Sequence, residues 1–329
     1  MRSLVCRSDI VSSFAAQAHI PVLKHEVLRF LVGPSSGTYV DATFGRGGHC
    51  RALLQKLDSS AMVIAMDRDP DAVVVAQTLA NEDPRVKVMH RRFAELAAML
   101  AEMQVVAVDG VLLDIGVSSP QLDDPARGFS FTHDGPLDMR MDPTSGRSAA
   151  DWINHADEAE IAQVLYEFGE ERQSRRIAKA IVMARPIETT TAFAETVASA
   201  VPRAPQNKRH PATKSFQAVR IMVNAEDEEL KQGLDQAFAS LRPGGRLAVI
   251  SFHSLEDRVV KRRFRELSSP PELPRRLPVR AQHNESPGKL IAGPVRASAA
   301  EVAQNPRARS ATLRVIEKIG ERGRGDGAR

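Results

Sequence analysis

Thr38-Tyr-Val-Asp-Ala-Thr-Phe-Gly-Arg-Gly-Gly-His49 is the stretch whose reading decides the fold. A short β-branched and aromatic run ends in Asp41, and a turn follows that holds Gly45, Gly47 and Gly48. A helix then begins near His49 and carries Ala52, Leu53, Leu54 and Leu57. A strand, a glycine turn and a helix N-terminus in this order let a nucleotide-like ligand approach the backbone closely. A second apolar run, Ala61-Met-Val-Ile-Ala-Met66, ends at Asp67, where a carboxylate is placed to accept hydrogen bonds from ribose hydroxyls. The glycines read Gly-x-Gly-Gly, because Cys50 occupies the place of the last glycine in a Gly-x-Gly-x-x-Gly pattern. That favours an S-adenosylmethionine (SAM) site over a nicotinamide site. An ordinary glycine turn in an α/β sheet is the alternative.

Working outward, 329 residues suggest two domains, and 43% apolar content supports a full core. Two cysteines, Cys6 and Cys50, argue against a disulfide framework and fit a reducing cytosol, so a cytoplasmic protein is expected. No apolar run approaches the roughly 20 residues needed to span a bilayer, and no membrane partner is expected. Residues 1–18 contain Asp9 and lack a long apolar centre, so they read as a flexible extension rather than a secretory signal. An organelle-targeting peptide is the alternative there. The net charge of +4 permits an anionic partner without requiring one.

Further strands are expected at Arg85-Val-Lys-Val-Met-His90 and Val108-Asp-Gly-Val-Leu-Leu-Asp114, with a helix opened by Asp69-Pro70 between the second and third strands. Strands and helices alternating at this rhythm imply βαβ units and a parallel sheet. The rhythm breaks after Asp114, and the next convincing strand is Arg246-Leu-Ala-Val-Ile-Ser-Phe252. A crossover needs far fewer residues than lie between. The intervening chain carries helix starts at Ser148 and Asp157 and helical stretches near 172–184 and 191–200. A helical insert over 122–212 is therefore expected inside a discontinuous α/β domain of 19–121 and 213–317. Helices near 213–223 and 226–239 should re-enter the sheet domain, followed by a turn at Leu241–Arg246. Residues 268–308 read as irregular, 311–316 as an edge strand and 318–329 as a disordered tail.

In an open parallel sheet, ligands bind beyond the carboxyl ends of the strands. Gly47, Gly48, Asp67, Phe93 and Asp114 all fall at or just past such ends, with Phe93 placed to flank an adenine. Asp114 opens a segment in which Ser118, Ser119 and Pro120 stand where amino-group methyltransferases carry an acidic or amide residue followed by Pro-Pro-aromatic. A helix cap is the plainer role for Asp114.

Here the sequence resembles a known family, the bacterial 16S ribosomal RNA (cytosine-N4)-methyltransferases, or small-subunit methyltransferase H. The matching blocks are His19-Ile-Pro-Val-Leu23, Asp41–His49, Leu113-Asp-Ile-Gly-Val-Ser-Ser-Pro-Gln-Leu-Asp123, Arg127-Gly-Phe-Ser-Phe131, Asp134–Asp142, His210–Ile221, Ser251-Phe-His-Ser-Leu-Glu-Asp257 and Asn305–Ser310. They run in order through about 19–317. Residues 1–18 precede the family's usual start, and Thr312 stands where a lysine is expected. The resemblance implies a Rossmann-like class I SAM-dependent methyltransferase fold with an inserted all-helical substrate-recognition domain. It puts SAM contacts on Gly47, Gly48, His49, Asp67, Phe93, Asp114 and Gln121. It also implies N4-methylation of one cytidine, cytidine 1402 in the usual rRNA numbering, in 16S rRNA within the small ribosomal subunit.

Cytosine N4 is a poor nucleophile because its lone pair is delocalised into the ring. Acceptors that hold its protons and align it are therefore needed, and the base must leave its stack. Asp114, Ser118 and Ser119 are the candidate catalytic residues. A base pocket is expected in Arg127–Asp142, with Phe129, Phe131, Asp138 and Arg140, or else at His253. Core packing for the two phenylalanines and a structural Asp138–Arg140 pair are the alternatives. Arg258, Lys261, Arg262 and Arg265 are candidates for phosphate contact, a solvated helix face being the other reading. His49, His210 and His253 match no metal-ligand spacing, so no metal is assigned. The rival functions are a DNA amino-methyltransferase and a non-catalytic rRNA-binding assembly factor. Oligomeric state is left open, with a dimer compatible.

Overall fold

Strand burial follows directly from the apolar runs. Val63, Ile64, Ala65 and Met66 are all fully buried, yet alternate members face opposite layers, as the two-residue repeat of a strand requires. The computed structural model describes residues 21–201, 210–270 and 286–320. The strands are β1 (Thr38–Asp41), β2 (Met62–Asp67), β3 (Val86–His90), β4 (Val108–Asp114), β5 (Leu241–Ser251), β6 (Gly288–Arg296) and β7 (Thr312–Lys318). They form one sheet in the order β3-β2-β1-β4-β5-β7-β6. The first five are parallel, while β7 runs antiparallel to both β5 and β6.

One face is covered by α1 (Lys24–Leu31), α2 (Gly48–Leu54) and α3 (Pro70–Glu82), which give Leu31, Leu53 and Leu79 to a core with Tyr39, Leu112 and Ile250. The other is covered by α4 (Leu96–Glu102) and by two later helices, Glu226–Ser240 and Ser254–Leu267, which give Leu234 and Phe264. This is an α/β, Rossmann-like architecture. The chain moves outward in one direction from β1 to β3, then crosses back to β4, so the strand order reverses between β1 and β4. Loops leaving the carboxyl ends there diverge and open a crevice.

Between β4 and β5 the chain builds α5 (Ser119–Asp123), α6 (Ala149–His155), α7 (Glu158–Glu167), α8 (Ser174–Met183), α9 (Thr190–Ala200) and α10 (Thr213–Asn224). They enclose a separate core around Trp152, Ile177 and Phe193. α10 was expected to rejoin the sheet domain. Instead its Phe216, Ala218 and Val219 pack into the insert's core, because its apolar face meets α6 and α7. The chain then continues through α11 (Glu226–Ser240) and, after β5, α12 (Ser254–Leu267).

The other differences lie toward the C-terminus. The turn expected at 241–246 is a bulge inside β5, whose pairing jumps from Val108–Leu241 to Gly110–Arg246. Part of 268–308, read as irregular, is β6 followed by α13 (Ala299–Gln304). The strand expected at the edge over 311–316 is β7, which lies inward of β6 and runs on to Lys318, the first residue of the expected tail. Expectations for residues 1–18, for 202–209 within the insert, for 271–285 and for 321–329 lie outside the described residues. Among the described residues no helix is long and apolar enough to cross a membrane.

Candidate active site

A cavity of about 370 Å³ opens at the carboxyl ends of β1, β2, β4 and β5, where the strand order reverses. Its first wall is the glycine turn. Gly45 and Gly47 adopt φ of +53° and +75°, the left-handed region that β-carbons disfavour. A Cβ on Gly47 would lie 2.5 Å from the Phe44 ring, so only glycine lets the turn close. Gly45, Gly48 and His49 line the cavity, while Gly47 shapes the turn behind them.

Asp67 ties this turn to the next one. Its Oδ2 accepts the Gly45 N–H at 2.7 Å and its Oδ1 accepts the Asp69 N–H at 2.9 Å. Burial raises its carboxyl to about 6. Phe93 follows β3 in a short 3-10 turn, lines the cavity and rests against Gly233, where a Cβ would come within 2.3 Å of its ring. Gln121 is buried: its Oε1 accepts the Ser118 N–H at 2.9 Å and its Nε2 donates to Asp69 Oδ2 at 2.7 Å. Asp69 Oδ2 also accepts from Arg127 Nη1 at 3.0 Å, which fastens the insert to the rim. Ser118 and Ser119 lie on the same wall.

His49 and Asp114 face each other across the floor. His49 Nε2 lies 3.7 Å from Asp114 Oδ2, too far for a hydrogen bond. Desolvation lowers the imidazole to about 4, so it is neutral at pH 7. The Asp114 carboxyl is pushed up to about 8 by burial, reinforced by the nearby charges of Asp41 and Glu256. Asp114 Oδ1 and both ring nitrogens of His49 find no hydrogen-bond partner among the described residues. Orphaned polar atoms are rare inside proteins, and here they line a crevice sized for a nucleoside ligand. A SAM molecule fits this donor set: a carboxylate (Asp67) at the second strand end, glycines under the nucleotide, and anionic oxygens for a sulfonium.

Among the lining residues that the sequence reading does not single out are Arg220 and Glu256. Glu256 stands in the first turn of α12, capped by His253, and its Oε2 accepts the N–H groups of Phe252 (2.8 Å) and His253 (3.2 Å). Its Oε1 lies 2.8 Å from His253 Nε2 and 3.8 Å from Arg220 Nη2, with no hydrogen bond aligned to either. Burial pushes this carboxyl up, but His253 and Arg220 more than offset it, leaving it below the ordinary range. Arg220 is itself held by two bonds to Glu226, of 2.8 and 2.7 Å. The available signal was the His-x-x-Glu capping box directly after a buried strand.

Of the expected base-pocket residues the structure brings His253 to the cavity but not Phe129, Phe131, Asp138 or Arg140. Phe129 is 7% exposed within the insert's core, and Phe131 packs on His210 and Phe216 at ring distances of 4.7 and 4.8 Å. Asp138 and Arg140 close on one another through bonds of 2.8 and 2.7 Å. Of that segment Met141 reaches the lining, and His253 lines the cavity from the other side. On α12, Arg258 pairs with Glu170 and Arg262 with Glu266, both at 3.0 Å.

A model of the MraW methylase family matches residues 16–319. The chain belongs to that family. Curated relatives named "Ribosomal RNA small subunit methyltransferase H" agree with this. The Xanthomonas campestris protein is 52% identical over 313 residues, covering 94% of this chain and 90% of the relative. The Xanthomonas oryzae protein is 53% identical over 312 residues, 94% and 91% of the two chains. The Stenotrophomonas maltophilia protein is 52% identical over 303 residues, 91% and 93%. Membership makes this chain a methylase with SAM as its methyl donor.

Proposed function

We propose that this methylase modifies the exocyclic N4 of a cytidine in 16S rRNA, at the decoding-region position 1402, within the small ribosomal subunit. What supports the substrate is the printed name of relatives at 52–53% identity over nine-tenths of the chain. What supports the chemistry is one observation: Asp114 and Glu256 present unpartnered carboxylate oxygens to the same cavity.

SAM bound in this cavity supplies a methyl group activated by a sulfonium. The chain's own groups hold the amine and receive its proton. Pairs of acids whose surroundings push their protonation apart mark distinct roles. Glu256 stays ionised beside His253 and Arg220, whereas Asp114 holds its proton at neutral pH in the cofactor-free protein. Glu256 Oε1 is therefore the acceptor for an N4–H, and it takes the proton that the methylated nitrogen must lose. His253 Nδ1 accepts the Glu256 N–H, so its Nε2, 2.8 Å from Oε1, carries the ring proton and steadies the ionised carboxylate. Asp114, Ser118 and Ser119 orient the base edge from the opposite wall. Alignment of this kind is worth several kcal/mol, up to roughly 7–11 in the best intramolecular cases.

The test is transfer of labelled methyl from SAM to small subunits lacking the modification, with duplex DNA offered in parallel and the modified base mapped. Label at one cytidine N4 of the rRNA is expected. Label on DNA, or at another atom of the rRNA, overturns the reading.

A further inference from the structure

The basic run on α12 is partly neutralised, Arg258 by Glu170 and Arg262 by Glu266, with Lys261 and Arg265 exposed; a second basic cluster, with no acid partner among the described residues, lies on the insert. Arg175, Arg176 and Lys179 stand on one side of α8, at i, i+1 and i+4, and Arg172 lies in the turn that leads into its first residue. All four are exposed, and none has an ion pair or hydrogen bond among the described residues. α8 itself contains no acidic residue. Its opposite face is anchored by Ile177, Ala178 and Ile181 in the insert's core, so the stripe cannot turn inward.

Cations at these spacings repel one another, and many arginines elsewhere are balanced. Arg51, Arg68, Arg85, Arg263, Arg307 and Arg314 all sit against carboxylates. The stripe also has a defined place relative to the catalytic cavity. Glu170, two residues before Arg172, accepts Arg258 Nη2 at 3.0 Å and Ser254 Oγ at 3.4 Å, at the first turn of α12. That turn carries Glu256. Exposed Tyr166, 65% accessible near the end of α7, precedes the stripe on a helix packed against α8.

We infer that the Arg172–Lys179 face of α8 is the phosphate-binding surface that holds the rRNA backbone while one base enters the cavity beneath Glu256. The inference rests on the rRNA reading above and assigns that substrate its contact surface. Four cations each neutralising one backbone phosphate release condensed counterions, so affinity should fall steeply with salt. Phosphate contacts of this kind position the substrate, and the cavity selects the base.

The test compares the wild type with two quadruple variants. One carries Arg172→Gln, Arg175→Gln, Arg176→Gln and Lys179→Gln; the other carries Arg258→Gln, Lys261→Gln, Arg262→Gln and Arg265→Gln. Binding to small subunits lacking the modification is followed over a KCl series, alongside methyl transfer and SAM calorimetry. The α8 variant should lower the slope of log affinity against log salt by about 3–4, from ~0.9 per phosphate contact. Its subunit KM should rise at least tenfold, with SAM affinity and the rate at saturating subunit unchanged. The α12 variant should change the slope by less than about 1. A wild-type slope in the α8 variant, or a larger loss in the α12 variant, overturns the assignment. A wild type that binds subunits with the full slope but transfers no methyl would contradict the rRNA-methylation reading and leave the α8 surface standing.

Discussion

The strand ends of the sheet and the Arg127–Asp142 segment of the insert carry similar chemistry, with carboxylates beside basic and aromatic groups, and use it in opposite ways. In that segment the carboxylate, the guanidinium groups and the buried aromatic are closed off. Asp138 is bound by Arg140, and Arg127 donates to the carbonyls of Arg140 and Met141 at 3.2 and 2.8 Å. Buried Asn224 accepts from Met141 N–H at 2.8 Å and donates to the carbonyl oxygen of Met139 at 2.7 Å. Beside the strand ends Asp114 and Glu256 keep cavity-lining carboxyl groups with an oxygen unpartnered, and Asp41, behind the lining, has neither oxygen partnered among the described residues. Satisfied polar groups rigidify; orphaned ones cost stability and are tolerated where a ligand completes them. The polar residues of Arg127–Asp142 are thus fittings, and the groups beside the strand ends are those the proposed function puts to work.

The comparison breaks first at Asp67, if anywhere. Asp67→Ala should weaken SAM binding by about ten- to 150-fold, the cost of a lost charged acceptor. It should also loosen the turn, since Asp67 holds Gly45 and Asp69 as well. Calorimetry giving wild-type affinity would remove Asp67 from the site.

Asn224→Ala probes the opposite region. It strands the Met141 N–H and the Met139 carbonyl in a buried setting, and should cost about 2–4 kcal/mol of stability. Single-turnover methylation by the fraction that remains folded should be close to normal. A stable variant with a collapsed rate would move Asn224 into the catalytic machinery.

A smaller effect sharpens the contrast through pH. Burial raises Asp41 from an ordinary 3.8 to about 7, with Asp67 adding to the rise. The folded state therefore binds this proton more tightly than the unfolded state. Its contribution is fully present below about 3.8 and is lost as the pH climbs through about 7. Asp41→Asn, free of cofactor, should melt a few °C above the wild type at pH 8 and lose that advantage at pH 5. An advantage of equal size at both pH values would show that Asp41 is not an orphaned charge.

The sheet and the cofactor crevice were legible because they rest on local signals: unbroken apolar strands, acids at strand ends and a glycine turn with no room for side chains. Gly48, His49, Asp67, Phe93, Asp114 and Gln121 all line one cavity. β6 was hidden because its sequence contains Gly293 and Pro294 and pairs on one side only, so no buried alternation betrays it. The role of α10 was hidden because periodicity reveals an apolar face and not which core receives it. Phe129 and Phe131 read as stacking residues because aromatic content looks alike in a core and in a base pocket. Glu256 escaped because a capping carboxylate and a catalytic one share the same His-x-x-Glu signature. The pairing of Arg258 was hidden because its acid, Glu170, comes from a distant part of the chain.

The central claim is that orphaned strand-end groups do the chemistry and closed insert pairs do not. It is tested most directly by measuring Glu256→Gln and Asp138→Asn side by side, in single-turnover methyl transfer at saturating SAM and in thermal unfolding. In Glu256→Gln the amide oxygen can still cap α12, but the cavity-facing acceptor becomes a donor. The rate should fall about a hundredfold or more, with little change in Tm. Asp138→Asn should lose about 1 kcal/mol and melt about 2 °C lower, with the rate unchanged. A normal rate in Glu256→Gln together with a crippled rate in Asp138→Asn would contradict the account.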